Sequence, residues 1–346
     1  MKAALYKGPK DLTVVEVDKP KPGPKEILIK VKACATCGTD AKIFNHGHPR
    51  LTPPQIIGHE IAGEIVEVGA SVSNFKVSDR VQVIAAIPCG ECWLCKSDRM
   101  TICQNQLSMG YQFAGGFAEF MIIPDEVIRV NGVNKIPENV SFDEAAVTEP
   151  LACVLNSQQI LQITKGDVVL VMGSGPIGCL HVRVARALGA SKVFLADING
   201  GRVKLASDVV KPDATIDMST QDLAAEMKKL TDGRGPNIII TAAPSGKAQE
   251  DAISMVSAGG KVSFFGGLPK ENPFIKCDAN IVHYKEVTLY GANGSSPAQN
   301  KKALQMISTG EVKVADLITH RVKLENVQSA IDAVLSGQAI KVVVNP

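Results

Sequence analysis

Residues 166–189 read GDVVLVMGSGPIGCLHVRVARALG. Val168 to Met172 is a continuous apolar run rich in β-branched residues, the pattern of a strand buried on both faces of a sheet. It ends at Gly173-Ser174-Gly175-Pro176-Ile177-Gly178, which fits G-x-G-x-x-G, and a helix-forming segment follows at once. In that context the glycines permit a tight turn and close backbone approach to a pyrophosphate, and the helix N-terminus offers its amides to the anion. Gly173, Gly175, Pro176 and Gly178 therefore frame a predicted dinucleotide loop. Asp197 closes the next strand candidate, KVFLAD. An acidic group there accepts hydrogen bonds from the adenosine ribose hydroxyls and repels a 2′-phosphate, which favours NAD over NADP. Arg202 is open to three readings: a stack on the adenine, a contact to a 2′-phosphate, or a solvated helix charge.

Outward from this unit, strand candidates (VVLVMG, KVFLADI, ATIDM, NIIITAA, KVSFFGG, VTLYGAN) alternate with helical segments such as AQEDAISMVSAG. That alternation predicts an α/β, doubly wound parallel sheet. The N-terminal part differs. From Leu12 to Val83 short β-rich runs are punctuated by Pro20, Pro22, Pro24, Gly58, Gly63 and Gly69, with no sustained helical period, which predicts an all-β first domain. Near Glu149 the texture changes to ACVLNSQQILQI, read as a helix. The tail KVVVNP is expected to return as a strand to the first domain, so that the nucleotide domain is an insertion. The expected division is 1–152 with 291–346, and 153–290.

At 346 residues the chain is long enough for about two domains. Lysine plus arginine (37) nearly balances aspartate plus glutamate (35), which argues against a nucleic-acid partner. The start, MKAALYKGPKDLTVVEV, lacks an apolar signal region, and no apolar run nears the ~18 residues of a membrane span. A cytoplasmic protein with no membrane partner is expected. Cys89, Cys92, Cys95 and Cys103, spaced C-x2-C-x2-C-x7-C, predict a lobe at about residues 88–104 folded around a tetrahedral zinc ion with a closed, structural shell. In a reducing compartment, zinc is favoured over a disulfide framework for these thiols.

A second, dispersed set of ligand-type residues lies in Cys37-Gly38-Thr39-Asp40 and Gly58-His59-Glu60. Singly, a cysteine is usually a small buried group and a histidine a satisfied core residue. None has a local zinc-finger spacing, so a shared metal would have to be assembled by the fold. His59 and Glu60 sit among glycines in GHEIAGEIVEVGASV, and Glu149 precedes Pro150 at the expected domain boundary.

With these motifs the chain resembles the zinc-containing medium-chain alcohol and polyol dehydrogenases over essentially its whole length. Gly58-His59-Glu60, Gly63, Gly69 and Val72 match that family's G-H-E-x2-G-x5-G-x2-V signature, and the four-cysteine lobe has its spacing. The resemblance implies a GroES-like β-rich catalytic domain with an inserted Rossmann domain, two zinc ions per chain and NAD. Cys37, His59 and either Glu149 or Glu60 would ligate a catalytic zinc. Glu149 followed by Pro-Leu is the pattern of the sorbitol, threonine and polyol-phosphate dehydrogenase branch. By the same resemblance, Ile177 lies beside the pyrophosphate, Gly266-Gly267-Leu268 forms a cofactor loop, Leu289-Tyr290 lies near the nicotinamide, and the protein is a homotetramer or homodimer.

The implied reaction is oxidation of a secondary alcohol on a polyol or sugar-derived small molecule. Zinc can lower the pKa of a bound water from about 15.7 to about 7, and a bound alcohol should respond likewise. Thr39 could accept a hydrogen bond from the substrate hydroxyl and pass its proton outward. The family usually has a histidine as the next relay member, where this chain has Lys42; His46 and His48 are near in sequence. Gly291-Ala292 replaces the Arg-Tyr pair of sorbitol dehydrogenases, and Asn293-Gly294-Ser295-Ser296-Pro297 resembles galactitol-phosphate dehydrogenases. Threonine dehydrogenase is the nearest rival. An inactive nucleotide-binding or structural protein would show broken ligand positions, whereas Cys37, His59, Glu60 and Glu149 are all present.

Overall fold

The computed structural model describes residues 1–346. The chain divides into two compact units, Met1–Ala152 with Gly294–Pro346, and Cys153–Asn293. No helix is long and apolar enough to cross a membrane.

In Cys153–Asn293, six parallel strands lie in the order Ala214–Asp217, Lys192–Asp197, Val168–Met172, Ile238–Thr241, Lys261–Phe264, Thr288–Gly291. This is the doubly wound order of dinucleotide-binding folds, with the first strand of the unit at the centre. Val169, Leu170 and Val171 are wholly buried there, which is why that run carries no polar alternation. The helices Pro176–Ala187 and Gly246–Met255 pack on the sheet. The loop glycines are sterically required: Gly173 has φ 114°, and a Cβ on Gly178 would strike the carbonyl oxygen of Gly173.

In the other unit, a seven-stranded sheet runs Val133–Lys135, Arg80–Val83, Glu60–Val68, Ile27–Ala35, Lys341–Asn345, Ile318–Lys323, with Phe120–Ile123 also paired to Ile27–Ala35. A three-stranded sheet joins Asp11–Glu16, Lys2–Gly8 and Gln55–Ile56. Ile27, Ile29, Ile61, Ile65, Val81, Val83 and Phe117 form part of one buried cluster with Val342 and Val344 of the C-terminal strand. The tail thus returns to the first sheet, as its alternation-free KVVVN suggests.

The all-β reading of 12–83 needs one correction, because Gly38–His46 is an α-helix. At nine residues it is too short to establish a helical period between two strand-rich runs. Its start is set locally: the backbone N–H of Cys37 donates to Asp40 Oδ2 at 2.8 Å, the return half of a capping box.

Candidate active site

Strand register assembles the site. Ile27–Ala35 is flanked by two strands, with Ala35 opposite Glu60 on one side and opposite Val343 on the other. Cys37 lies just beyond the end of this central strand, Glu60 at the start of its neighbour, and Lys341 near the start of the third. The donor atoms of Cys37, His59 and Glu60 all lie within 4.8 Å of one another. Gly58, with φ 90°, carries the chain into this corner, where a Cβ would come 2.8 Å from the Phe117 ring and 2.9 Å from Cys34 Sγ.

Two residues not singled out from the sequence complete the constellation. Asp40 is fully buried; besides holding the Cys37 N–H through Oδ2, it sets Oδ1 3.3 Å from His59 Nδ1. One carboxylate thus orients two of the three donors, as outer-shell carboxylates commonly do around metal-binding imidazoles. Burial disfavours a charged His59, but Asp40 and the Cys37 thiol outweigh it and raise the imidazole well above its usual pKa. Lys341, 3 % exposed, donates to Glu60 Oε1 at 2.6 Å and to the Thr36 carbonyl at 2.8 Å. Glu60 itself is 0 % exposed. Burial raises its pKa, Lys341 opposes the rise and Glu149 adds to it, with the balance standing at about 7.

Glu149 is buried near the start of the helix Thr148–Leu161. It acts electrostatically on both Glu60 and Lys341 but stands outside the converged trio, whose carboxylate is Glu60. Thr39 is half-buried in the first turn of the helix that starts after Cys37, whereas Lys42 and His46 are exposed on it. His48 packs edge-on against Tyr111, ring centroids 4.8 Å apart.

The four-cysteine lobe also converges, with all four sulfurs within 4.8 Å of one another. Sγ separations of 3.5 Å (Cys92–Cys95), 3.9 Å (Cys92–Cys103) and 4.0 Å (Cys89–Cys95) bracket the ~3.8 Å edge of a tetrahedron whose vertices lie about 2.3 Å from a zinc ion. Backbone N–H groups donate to the sulfurs: Cys89 to Cys103 Sγ at 3.2 Å and Cys92 to Cys89 Sγ at 3.3 Å. Such bonds favour thiolate, and N–H groups of Cys95 and Gln104 bring the Cys92 thiol down to about 6, while burial pushes Cys95 up to about 12. The donor set and spacing fit zinc.

In the other unit, Asp197 ends its strand with Oδ2 accepting from the Ser174 N–H at 2.7 Å and the Ser174 hydroxyl at 2.9 Å, and Oδ1 accepting from the Asn199 N–H at 3.0 Å. The carboxylate is thereby pinned to the glycine loop that starts at Gly173 and holds Gly175, Pro176 and Ile177. Arg202 is half-buried in the first turn of Gly200–Val210. Gly266 and Gly267 follow the strand Lys261–Phe264, and a Cβ on Gly266 would strike the Ala243 carbonyl. Leu268 is half-buried beyond them; Leu289 is 38 % exposed and Tyr290 half-buried on the edge strand Thr288–Gly291.

Family models match both parts of the chain: the alcohol dehydrogenase GroES-like domain over residues 23–132 and the zinc-binding dehydrogenase model over 176–309. The chain belongs to the zinc-dependent medium-chain dehydrogenase family. Within this family it is 34% identical over 336 residues to the L-threonine 3-dehydrogenase of Pyrococcus furiosus, covering 95% of this chain and 94% of that one. It is 32% identical over 335 residues to the sorbitol dehydrogenase of Halalkalibacterium halodurans, covering 96% and 95%. A zinc-binding dehydrogenase from Sinorhizobium meliloti, solved bound to NADP, superposes with a TM-score of 0.92 at 29% identity over 100% of this chain and 99% of that one. This medium-chain dehydrogenase is accordingly a zinc- and NAD(P)-dependent oxidoreductase of the alcohol, threonine and sorbitol type, acting on a small molecule.

Proposed function

We propose that this dehydrogenase oxidises a secondary alcohol on a polyol or sugar-derived substrate to the ketone, reversibly, with hydride passing to the nicotinamide of NAD. The observation that carries the reading is the convergence of Cys37, His59 and Glu60 within 4.8 Å, in a chain that also has the dinucleotide loop. Zinc, when bound, supplies a Lewis acid that lowers the pKa of the substrate hydroxyl.

The chain's own residues do the rest. Cys37 and His59 would hold the metal, with Glu60 or Glu149 as the carboxylate ligand. Asp40 faces Nδ1 of His59, which would leave Nε2 as the free donor nitrogen. Lys341 offsets the negative charge that a thiolate and two carboxylates accumulate in a buried site. Thr39 accepts a hydrogen bond from the substrate hydroxyl and, as it takes that proton, releases its own to water. Exposed Lys42 stands where the family usually has the next relay histidine. The four-cysteine lobe would hold the second, structural zinc. The enzyme works as a homodimer or homotetramer.

A second reading, L-threonine oxidation at C3, is favoured by the 34% identical relative of that name. NADH absorbance with a panel of polyols, polyol phosphates and L-threonine separates the two. Turnover of a polyol with a kcat/KM at least tenfold above that of threonine supports the proposal. The reverse order would replace it, and turnover of no alcohol at all would reject both.

A further inference from the structure

The family fold accommodates NADP in at least one relative, so the choice of cofactor is a property of this chain's own adenosine pocket. The glycine loop hands the chain from the central strand to a helix, and the neighbouring strand ends at Asp197. The strand beyond ends at Asp217, and the two aspartates are direct register partners in parallel strands. Adjacent strands lie about 4.8 Å apart, and ligands of doubly wound sheets bind beyond the carboxyl ends of the strands.

Asp217 is also aimed. Its Oδ1 accepts from the Ser219 N–H at 3.0 Å and the Ser219 hydroxyl at 2.6 Å. Its Oδ2 lies against Gly200, where a Cβ would collide with it. Gly200 opens the helix that follows Asp197, so the second carboxylate covers the same turn that the first one ends. The Ser219 bonds favour the charged form of Asp217, while Asp197 is fixed by Ser174 and Asn199.

We infer that Asp217 is a specificity-determining residue: with Asp197 it forms a two-carboxylate wall that rejects a 2′-phosphate and restricts this dehydrogenase to NAD. The assignment rests on the dinucleotide reading of the glycine loop. Arg202 supplies one positive charge against two negative ones, so the turn remains net negative toward a dianionic phosphate. At a separation of about 7 Å in a water-like dielectric, each carboxylate disfavours that dianion roughly tenfold.

The test uses the full-length enzyme and two probes of the adenosine end alone, 5′-AMP and its 2′-phosphorylated counterpart, titrated by calorimetry. In the parent, the 2′-phosphate is expected to weaken binding by about tenfold, the net of two carboxylates against Arg202. Asp217→Asn, which preserves shape, is expected to leave 5′-AMP affinity unchanged and to narrow the discrimination about tenfold, with a smaller narrowing at high salt. Asp217→Ser should give the same result, and the double variant with Asp197→Asn, which leaves Arg202 unopposed, should bind the 2′-phosphorylated probe more tightly than 5′-AMP. A parent that binds both probes equally, or an Asp217→Asn variant whose ratio stays within about twofold of the parent's, overturns the assignment. If the parent fails to bind 5′-AMP at all, the loop reading itself is wrong and the assignment falls with it. Fluorescence titration with NAD and NADP gives the same ratio for the complete cofactors.

Discussion

The buried pair between Lys341 and Glu60 provides the sharpest structural prediction. Glu60 is 0 % and Lys341 3 % exposed, so Lys341→Met leaves a carboxylate without its countercharge in a dry corner and removes the donor to Thr36. Removing one partner of a buried pair costs about 3–5 kcal/mol, because the remaining charge is left uncompensated. Lys341→Met combined with Glu60→Gln removes both charges and should recover more than half of that loss. The sign of the pH effect follows from Glu60, whose pKa of about 7 stands above the ordinary 4.5. The folded state holds the proton more tightly than the unfolded chain, so this group's contribution to stability falls as pH rises from about 4.5 to about 7. Without Lys341 the window extends further upward, and the deficit of the single variant widens between about pH 6 and about pH 8. Urea unfolding of equally metal-free proteins, followed by circular dichroism, reads these differences without a zinc ion supplying the missing countercharge. A single variant within about 1 kcal/mol of the parent, or a double variant no better than the single, would refute the reasoning.

Gly178→Ala places a methyl group on the Gly173 carbonyl and should weaken NAD binding by at least about a hundredfold while metal content stays at the parent level; equal NAD titrations for the two proteins would contradict it. His181 is wholly buried between Gln158, 3.1 Å from Nδ1, and the Phe265 ring, and burial lowers its pKa to about 3. The unfolded chain takes up this proton first, near pH 6.5, so stability falls as pH drops from about 6.5 toward about 3, by up to roughly 1.4 kcal/mol per pH unit. His181→Gln should flatten that slope in urea titrations at about pH 5 and about pH 7, and an unchanged slope would assign the acid lability elsewhere.

The inserted unit was the most legible part of the sequence, because a strand buried on both faces reads as an unbroken apolar run and the loop after it tolerates few residues other than glycine. Cys37, His59 and Glu60 were legible as ligand types, but their meeting depends on register between strands. The same limit hid Lys341. It binds Glu60 across 281 residues of sequence, and its only local sign is a lysine opening a strand that is otherwise apolar. Asp40 did carry a local sign, lying three residues after Cys37 as the return half of a helix cap, yet the helix it starts is too short for its period to show. The pairing of Asp197 with Asp217 likewise follows from parallel register and from no spacing in the chain.

The central claim is that the fold gathers Cys37, His59 and a carboxylate into a reactive zinc site separate from the four-cysteine lobe. Zinc per chain, measured by mass spectrometry on the parent and on Cys37→Ser, tests it most directly. The account predicts two ions in the parent, and in the variant a single retained ion with turnover lost. One ion in the parent, or a Cys37→Ser enzyme that keeps both ions and its activity, would contradict it.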